Sequence, residues 1–416
     1  MKHLLLSLLL TSITAGPFAE TQSIPDPRLK NPATLRRQIE RALFVPHPLP
    51  AAASKKLGSF EIEPRVVADR VTYATEFGMR VPAIVYHPSD ESMKRPALII
   101  VNGHGGDKYT WYAIYAGVLY ARAGAVVLTY DPIGEGERNS QHKSGTRQHD
   151  RYVPPDENGR RMGGLMMTDL RQAVTYLASR KDVDPARIAA AGYSMGSFIV
   201  SLACAVETRV HACVAVGGGD LDGPGGYWDS SSKKMCQALP YQALSFLGDR
   251  PAVLFALSAL RGPMLIHNGS TDEVVGIPTH GADFFRDLRE RTTKLLGNSQ
   301  DVFDYSFTPG GGHRPYFVTR PAAEWLNTQL HFLNWNAISH DETRISDWAR
   351  ANNAPIDHLY ADEHREGGTV ALGKDIPYIS REKLNVLPES EWQEQKSTFV
   401  LETWFEHVGY ASAHLN

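Results

Sequence analysis

Three cysteines in a chain of 416 residues cannot scaffold it with disulfides, and their odd number leaves at least one thiol without an intrachain partner. Charge of one sign is missing too: 43 basic side chains stand against 46 acidic ones, a formal charge of −3. Without a basic excess there is no electrostatic footprint for a phosphate backbone, which argues against a nucleic-acid partner. Long apolar runs are scarce. The longest, Leu4–Ile13, falls short of the ~20 residues a membrane span requires. No repeat recurs at a period of ~20–50 residues, so nothing suggests a solenoid or a propeller.

What remains is the composition of a globular protein, 42% hydrophobic and large enough to build a core without staples. Residues 1–19 read as an export signal: Lys2 gives the charged start, Leu4–Ile13 the short apolar stretch, and Ala15, Gly16 and Ala19 the small residues before a cut. The expected location is therefore periplasmic or secreted. In an oxidising compartment one disulfide among Cys204, Cys213 and Cys236 is open. Cys213 falls in a predicted strand and Cys204 in the helix before it, so both read as small core residues instead.

Residues 20–58 are proline-rich around one helical stretch, Leu35–Leu43, and read as an N-terminal wrap. Alternating segments at Phe60–Val67 and Val81–Tyr86 suggest antiparallel edge strands. The pattern then changes to short continuous apolar runs at Ala97–Val101, Ala125–Thr129, Ile188–Ala191, Cys213–Val216, Met264–His267 and Val302–Phe307. Bounded by Gly, Pro and Asp, these fit strands buried on both faces. Helical stretches lie between them, the best being Leu165–Leu177 with a stripe of Met166, Leu170, Ala173, Val174 and Leu177. The alternation predicts an α/β fold, a doubly wound, mostly parallel sheet with helices on both faces, over residues 59–335. Residues 336–416 are rich in acidic side chains and carry Trp348, Trp392, Trp404 and Phe405, a C-terminal extension expected to pack on the body.

The strongest chemical signal is Gly192-Tyr193-Ser194-Met195-Gly196, directly after one predicted strand and before the apolar helical stretch Phe198–Ala205. In that setting G-x-S-x-G is a nucleophile elbow, a turn so tight that the flanking glycines can carry no Cβ. A serine hydroxyl needs a histidine base held in one tautomer by a carboxylate. The chain order Ser, acid, His expected on this architecture is met by Asp272, after the strand Met264–His267, and by His313 in the loop Thr308–Pro315. Asp220, one strand earlier, and Glu273 remain alternatives for the acid. An oxyanion hole needs two backbone N–H groups. Met195 supplies one, and Gly106 of Asn102-Gly103-His104-Gly105-Gly106 is the expected second donor.

This set resembles the α/β-hydrolase superfamily, and more closely its acetyl xylan esterase and dienelactone-hydrolase-like branches. Further marks are Asp131-Pro132-Ile133-Gly134-Glu135-Gly136-Glu137-Arg138 and the lead-in Asp182–Ile188. Acetyl xylan esterases of this type carry a His-Gly-aromatic loop and an Arg-Gly-Gln-Gly turn; here Gly106 stands for the aromatic residue and Ile133–Gly136 for the turn. The resemblance covers residues 60–335. It implies a Ser194–His313–Asp272 triad, no metal and no organic cofactor, and an ester substrate, and it points to acetyl groups on plant polysaccharide. Glu135 and Arg138 would lie near the mouth of the site, where Arg138 either holds a substrate carboxylate or fixes the loop by a salt bridge. Tyr227 and Trp228 are candidates to stack on a sugar face, against a plain packing role. Asp357, His358, Asp362 and His364 match no metal-ligand spacing and read as a solvated face. The expected activity is a secreted serine carboxylesterase. A prolyl-oligopeptidase-type serine peptidase shares the elbow and the order of the triad, but usually brings a large propeller for which this chain has no room. An esterase of methyl or uronic esters is the other alternative.

Overall fold

The computed structural model describes residues 26–151, 156–223, 226–230, 237–297, 302–356 and 368–409. The export-signal segment, Cys236 and the Asp357–His364 group lie outside the described residues. Three antiparallel strands open the sheet: β1 (Lys55–Glu63), β2 (Val66–Ala74) and β3 (Arg80–Pro88). Six more follow, β4 (Arg95–Val101), β5 (Val126–Tyr130), β6 (Val183–Tyr193), β7 (Ala212–Val216), β8 (Met264–Gly269) and β9 (Asp304–Thr308). The order across the sheet is β1-β2-β3-β5-β4-β6-β7-β8-β9, with β3 antiparallel to β5 and every pair from β5 to β9 parallel. This is the α/β-hydrolase architecture. The six apolar runs all became strands. The alternating region did not split as expected, because the turn at Pro64–Arg65 divides Phe60–Val67 between β1 and β2.

Period-two alternation builds two cores. On β4, Ala97, Ile99 and Val101 join one buried cluster, while Leu98 and Ile100 join the other. The first face is covered by α1 (Pro32–Ala42), whose Leu35 and Ile39 tie the wrap to the body. The second face is covered by α2 (Trp111–Arg122). α3 (Asp156–Ser179), α4 (Met195–Val206), α5 (Arg250–Ala259) and α6 (Ile277–Leu295) complete the first layer, and α7 (Arg320–Leu330) extends the second. α3 starts nine residues before the predicted stretch. Gly159 and Gly164 lie in this added part, where a Cβ on Gly164 would run into the carbonyl of Leu43 in the wrap and one on Gly159 into Leu239. Close packing on the wrap, not local propensity, decides that turn.

The C-terminal segment fills both layers. Trp348, on α8 (Ile345–Asn352), and Trp392 sit in the second core; Leu401, Trp404 and Phe405, on α9 (Leu401–His407), sit in the first. Cys204 and Cys213 are joined by a disulfide, not left as plain core residues. Burial alone suggested the latter. The short link from α4 to β7 folds the helix end back on the strand and brings the two thiols together.

Candidate active site

The elbow is the junction of β6 and α4. Ser194 stands at φ 54 and ψ −116, a backbone conformation that a non-glycine residue holds only when its surroundings enforce it. A Cβ on Gly192 would strike the carbonyl of Gly196, and one on Gly196 the carbonyl of Val101, so neither position tolerates a larger residue. Ser194 is the N-cap of α4 and Met195 its first residue, where the helix dipole favours negative charge.

The loops after β8 and β9 bring the partners together. His313 Nε2 lies 3.0 Å from Ser194 Oγ, and His313 Nδ1 lies 2.8 Å from Asp272 Oδ2. Asp272 is fully buried, and its other oxygen accepts the Val274 N–H at 3.0 Å. Tyr193 packs on the imidazole at 4.9 Å between ring centres and donates its hydroxyl to the His313 carbonyl at 3.1 Å. The ring is thus held from both sides, with Nδ1–H toward the carboxylate and Nε2 toward the serine. Of the alternative acids, Glu273 is exposed on the cavity wall, and Asp220 faces His280 at 3.8 Å, not His313. Burial, with the negative charges of Asp272 and Asp222 nearby, pushes the Asp220 carboxyl up to about 7.

Gly106 is not placed as expected. Its N–H donates to the Gly103 carbonyl at 3.0 Å, and a Cβ there would collide with the Tyr112 hydroxyl. The glycine that approaches the nucleophile is Gly103, where a Cβ would come within 3.0 Å of Ser194 Cβ. The residue after it, His104, lines the cavity with Ser194. Asn102-Gly103-His104 is thus the part of the loop motif that meets the nucleophile.

Glu135 and Arg138 also turn inward. The Glu135 carboxylate accepts the N–H groups of Thr146 and Arg147 at 3.1 and 2.7 Å, and burial pushes it up to about 7. Arg138 is fully buried against Asp169, with its guanidinium also on the Asp131 carbonyl. The loop-fixing reading of Arg138 is therefore the correct one, and neither side chain reaches the cavity. Behind them Lys108 is buried between Asp131 at 2.5 Å and Glu137 at 2.7 Å.

The cavity beside Ser194 measures about 510 Å³. Tyr227 and Trp228 both reach it, Tyr227 exposed at the rim and Trp228 packed on Phe198 at 5.7 Å. His280, Phe198 and Asp222 also line it and carried no sequence signal.

A sequence profile described as the prolyl oligopeptidase family matches residues 115–339, a stretch that holds Ser194, Asp272 and His313. An uncharacterized protein of Pseudomonas aeruginosa is 25% identical over 285 residues, 68% of this chain and 65% of that one. A Bacillus subtilis protein that carries a hydrolase name, YtaP, is 27% identical over 146 residues, 32% of this chain and 47% of its own. The chain thus spans about two thirds of the first relative and about half of the second. Among solved structures, the methylesterase BT1017 superposes with a TM-score of 0.57 at 20% identity, over 91% of this chain and 73% of that one, a likeness of fold. With more than half of its length matched, the chain has the α/β-hydrolase fold and belongs to the prolyl oligopeptidase family.

Proposed function

We propose that the protein is an exported serine carboxylesterase that cleaves acyl groups from a carbohydrate ester through an acyl-enzyme. The observation that carries this reading is the Ser194–His313–Asp272 relay opening onto an aromatic-walled cavity. His313 Nε2 takes the hydroxyl proton as Ser194 Oγ attacks the ester carbonyl, and Asp272 stabilises the imidazolium that forms. Charge then develops on the carbonyl oxygen. The Met195 N–H at the start of α4 and the His104 N–H after Gly103 face that oxygen in our reading, in place of Gly106. Collapse of the tetrahedral intermediate breaks the bond to the alcohol oxygen, which leaves with the proton from His313. Water, deprotonated by the same imidazole, attacks the acyl-enzyme and frees the acid.

A cavity of about 510 Å³ is within the range that encloses a small ligand. The Trp228 face suits the apolar side of a sugar ring, which supports an acetylated or methyl-esterified saccharide as substrate. Peptide cleavage is the second reading. Family membership favours it, and so do Asp220 and Asp222 in the cavity, which could meet a substrate ammonium.

The test is hydrolysis of acetylated xylan, a methyl-esterified uronan, an aryl acetate and a dipeptidyl anilide, by the wild type and Ser194→Ala. We expect acyl esters to be turned over and the variant to lose about 10⁴–10⁶-fold. Release of methanol but not acetate moves the substrate to uronic esters. Cleavage of the anilide without any ester refutes the esterase reading in favour of a peptidase.

A further inference from the structure

We propose that His104, His149 and Asp150 form a binding site for a divalent transition-metal cation beside the nucleophile. One ligand atom from each residue lies within 4.8 Å of the other two. His149 sits in the turn Gln148–Arg151 and is 1% exposed. Its Nδ1 stands 2.9 Å from the Ile133 carbonyl. A carbonyl only accepts, so the proton is on Nδ1 and the lone pair on Nε2. That Nε2 is buried and has no hydrogen-bond partner. A backbone carbonyl orienting one imidazole nitrogen so that the other is bare is the support that metal-binding histidines ordinarily have.

The other two ligands are already spaced for a shared ion. His104 Nε2 and Asp150 Oδ1 are 3.1 Å apart. Two donors each ~2.1 Å from one cation, at angles between octahedral and tetrahedral, stand ~3.0–3.4 Å apart. The His104 and His149 rings lie nearly parallel, 19° between planes and 5.6 Å between centres, which leaves the His149 donor within reach of the same ion. Two imidazoles and one carboxylate suit zinc, iron(II) or manganese(II) better than magnesium or calcium, which take all-oxygen sites. Three protein ligands leave positions for water. The other grouping of this kind among the described residues, His87, Glu91 and Asp182, relies on an exposed Glu91 and on a His87 already 3.2 Å from Asp69.

The ion would join two loops. His104 follows Gly103, the glycine pressed on Ser194, and lines the cavity; His149 and Asp150 belong to the segment that closes over the loop after β5. A bound cation therefore fixes the segment carrying the proposed oxyanion donor, and it does so whatever bond the serine cleaves.

The test uses the full chain, stripped with chelator, and cobalt(II) followed by zinc(II) as probes. We expect one equivalent of cobalt to give the visible absorption of an ion bound by nitrogen and oxygen, and zinc to displace it and raise Tm. His149→Gln and Asp150→Asn should each weaken zinc binding by about 100-fold or more, while His407→Gln, at an exposed histidine, leaves it unchanged. Circular dichroism establishes that the variants fold; should the buried His149 variant not fold, Asp150→Asn decides alone. No saturable uptake by the folded wild type, or zinc affinity unaltered in the folded ligand variants, overturns the proposal.

Discussion

Replacing Asp272 by Asn tests the relay at its least accessible member. The wild-type carboxylate takes the Nδ1–H of His313 on Oδ2 at 2.8 Å and the Val274 N–H on Oδ1 at 3.0 Å. An amide has one acceptor and one donor end. The Val274 N–H demands the oxygen, so the NH2 group must point at His313 Nδ1. Nδ1 then has to accept, the proton moves to Nε2, and Nε2 faces Ser194 as a donor that cannot take a proton. The opposite orientation sets an NH2 group against the Val274 N–H inside a fully buried pocket. Either way the base is lost while the shape is kept. A wrong tautomer of this kind costs about 10⁴-fold in kcat, or about 5 kcal/mol in the barrier. The assay is kcat on an aryl acetate at pH 7.5 for Asp272→Asn and Asp220→Asn, with equilibrium unfolding as the control for folding. Asp220 does not contact His313, and its variant should lose no more than about 10-fold. Equal losses, or a larger loss at Asp220, would refute the assignment and move the acid to the end of β7.

Three other perturbations follow from the packing. Gly196→Ala sets a Cβ against the Val101 carbonyl and should cost about 3 kcal/mol or more in urea unfolding; a stable, active variant would contradict the tight elbow. Glu76 is buried beneath Trp404, and burial first, then Asp169, pushes its carboxyl up to about 7. The folded state therefore binds this proton more tightly than the unfolded chain, and its contribution is present at low pH and lost as pH rises from about 4.5 through 7. Glu76→Gln should match the wild type near pH 4.5 and exceed it at pH 8 by up to about 3 kcal/mol, read as a shift in urea midpoint; an unchanged midpoint difference between the two pH values counts against the buried acid. The Cys204–Cys213 bridge closes a loop of sequence separation 9, so Cys204→Ser with Cys213→Ser should lower stability by about 2–3 kcal/mol, and a reducing agent should do the same to the wild type alone.

The parts of this molecule legible in its sequence are those in which one residue type has one physical meaning. Six short apolar runs bounded by Gly, Pro and Asp became strands, though the last, β9, lies at the sheet edge and is only partly covered, and Gly192 and Gly196 flank a turn that admits nothing else. Ser194, Asp272 and His313 could be named because chain order on this architecture assigns strand ends to them, and the loops do bring them within hydrogen-bond distance. What was misread depends on register or on partners far along the chain. Gly106 and Gly103 look alike in sequence, and only the Tyr112 hydroxyl and the Ser194 side chain distinguish their roles. Glu135 carries the charge expected of a binding loop, yet its partners are Thr146 and Arg147, and for Arg138 the loop-fixing salt bridge, one of its two sequence readings, is the one the fold makes, with Asp169 as partner. The disulfide needed the course of the chain between α4 and β7, which composition does not encode.

The buried placement of Trp404 and Glu137 bears on the order in which the chain is made. Glu137, on the loop after β5, accepts the Val386 N–H at 3.0 Å, and its carbonyl accepts the Trp392 indole at 3.0 Å. Trp404 and Phe405 close the first face of the sheet with no exposed surface of their own. A ribosome that has translated the elbow, the acid and the histidine has thus not yet produced the residues that seal both layers. Such a nascent chain holds every group of the relay but displays open apolar faces, the state in which partly made proteins aggregate or engage chaperones. Closure of both layers therefore waits until residue 405 has cleared the exit tunnel.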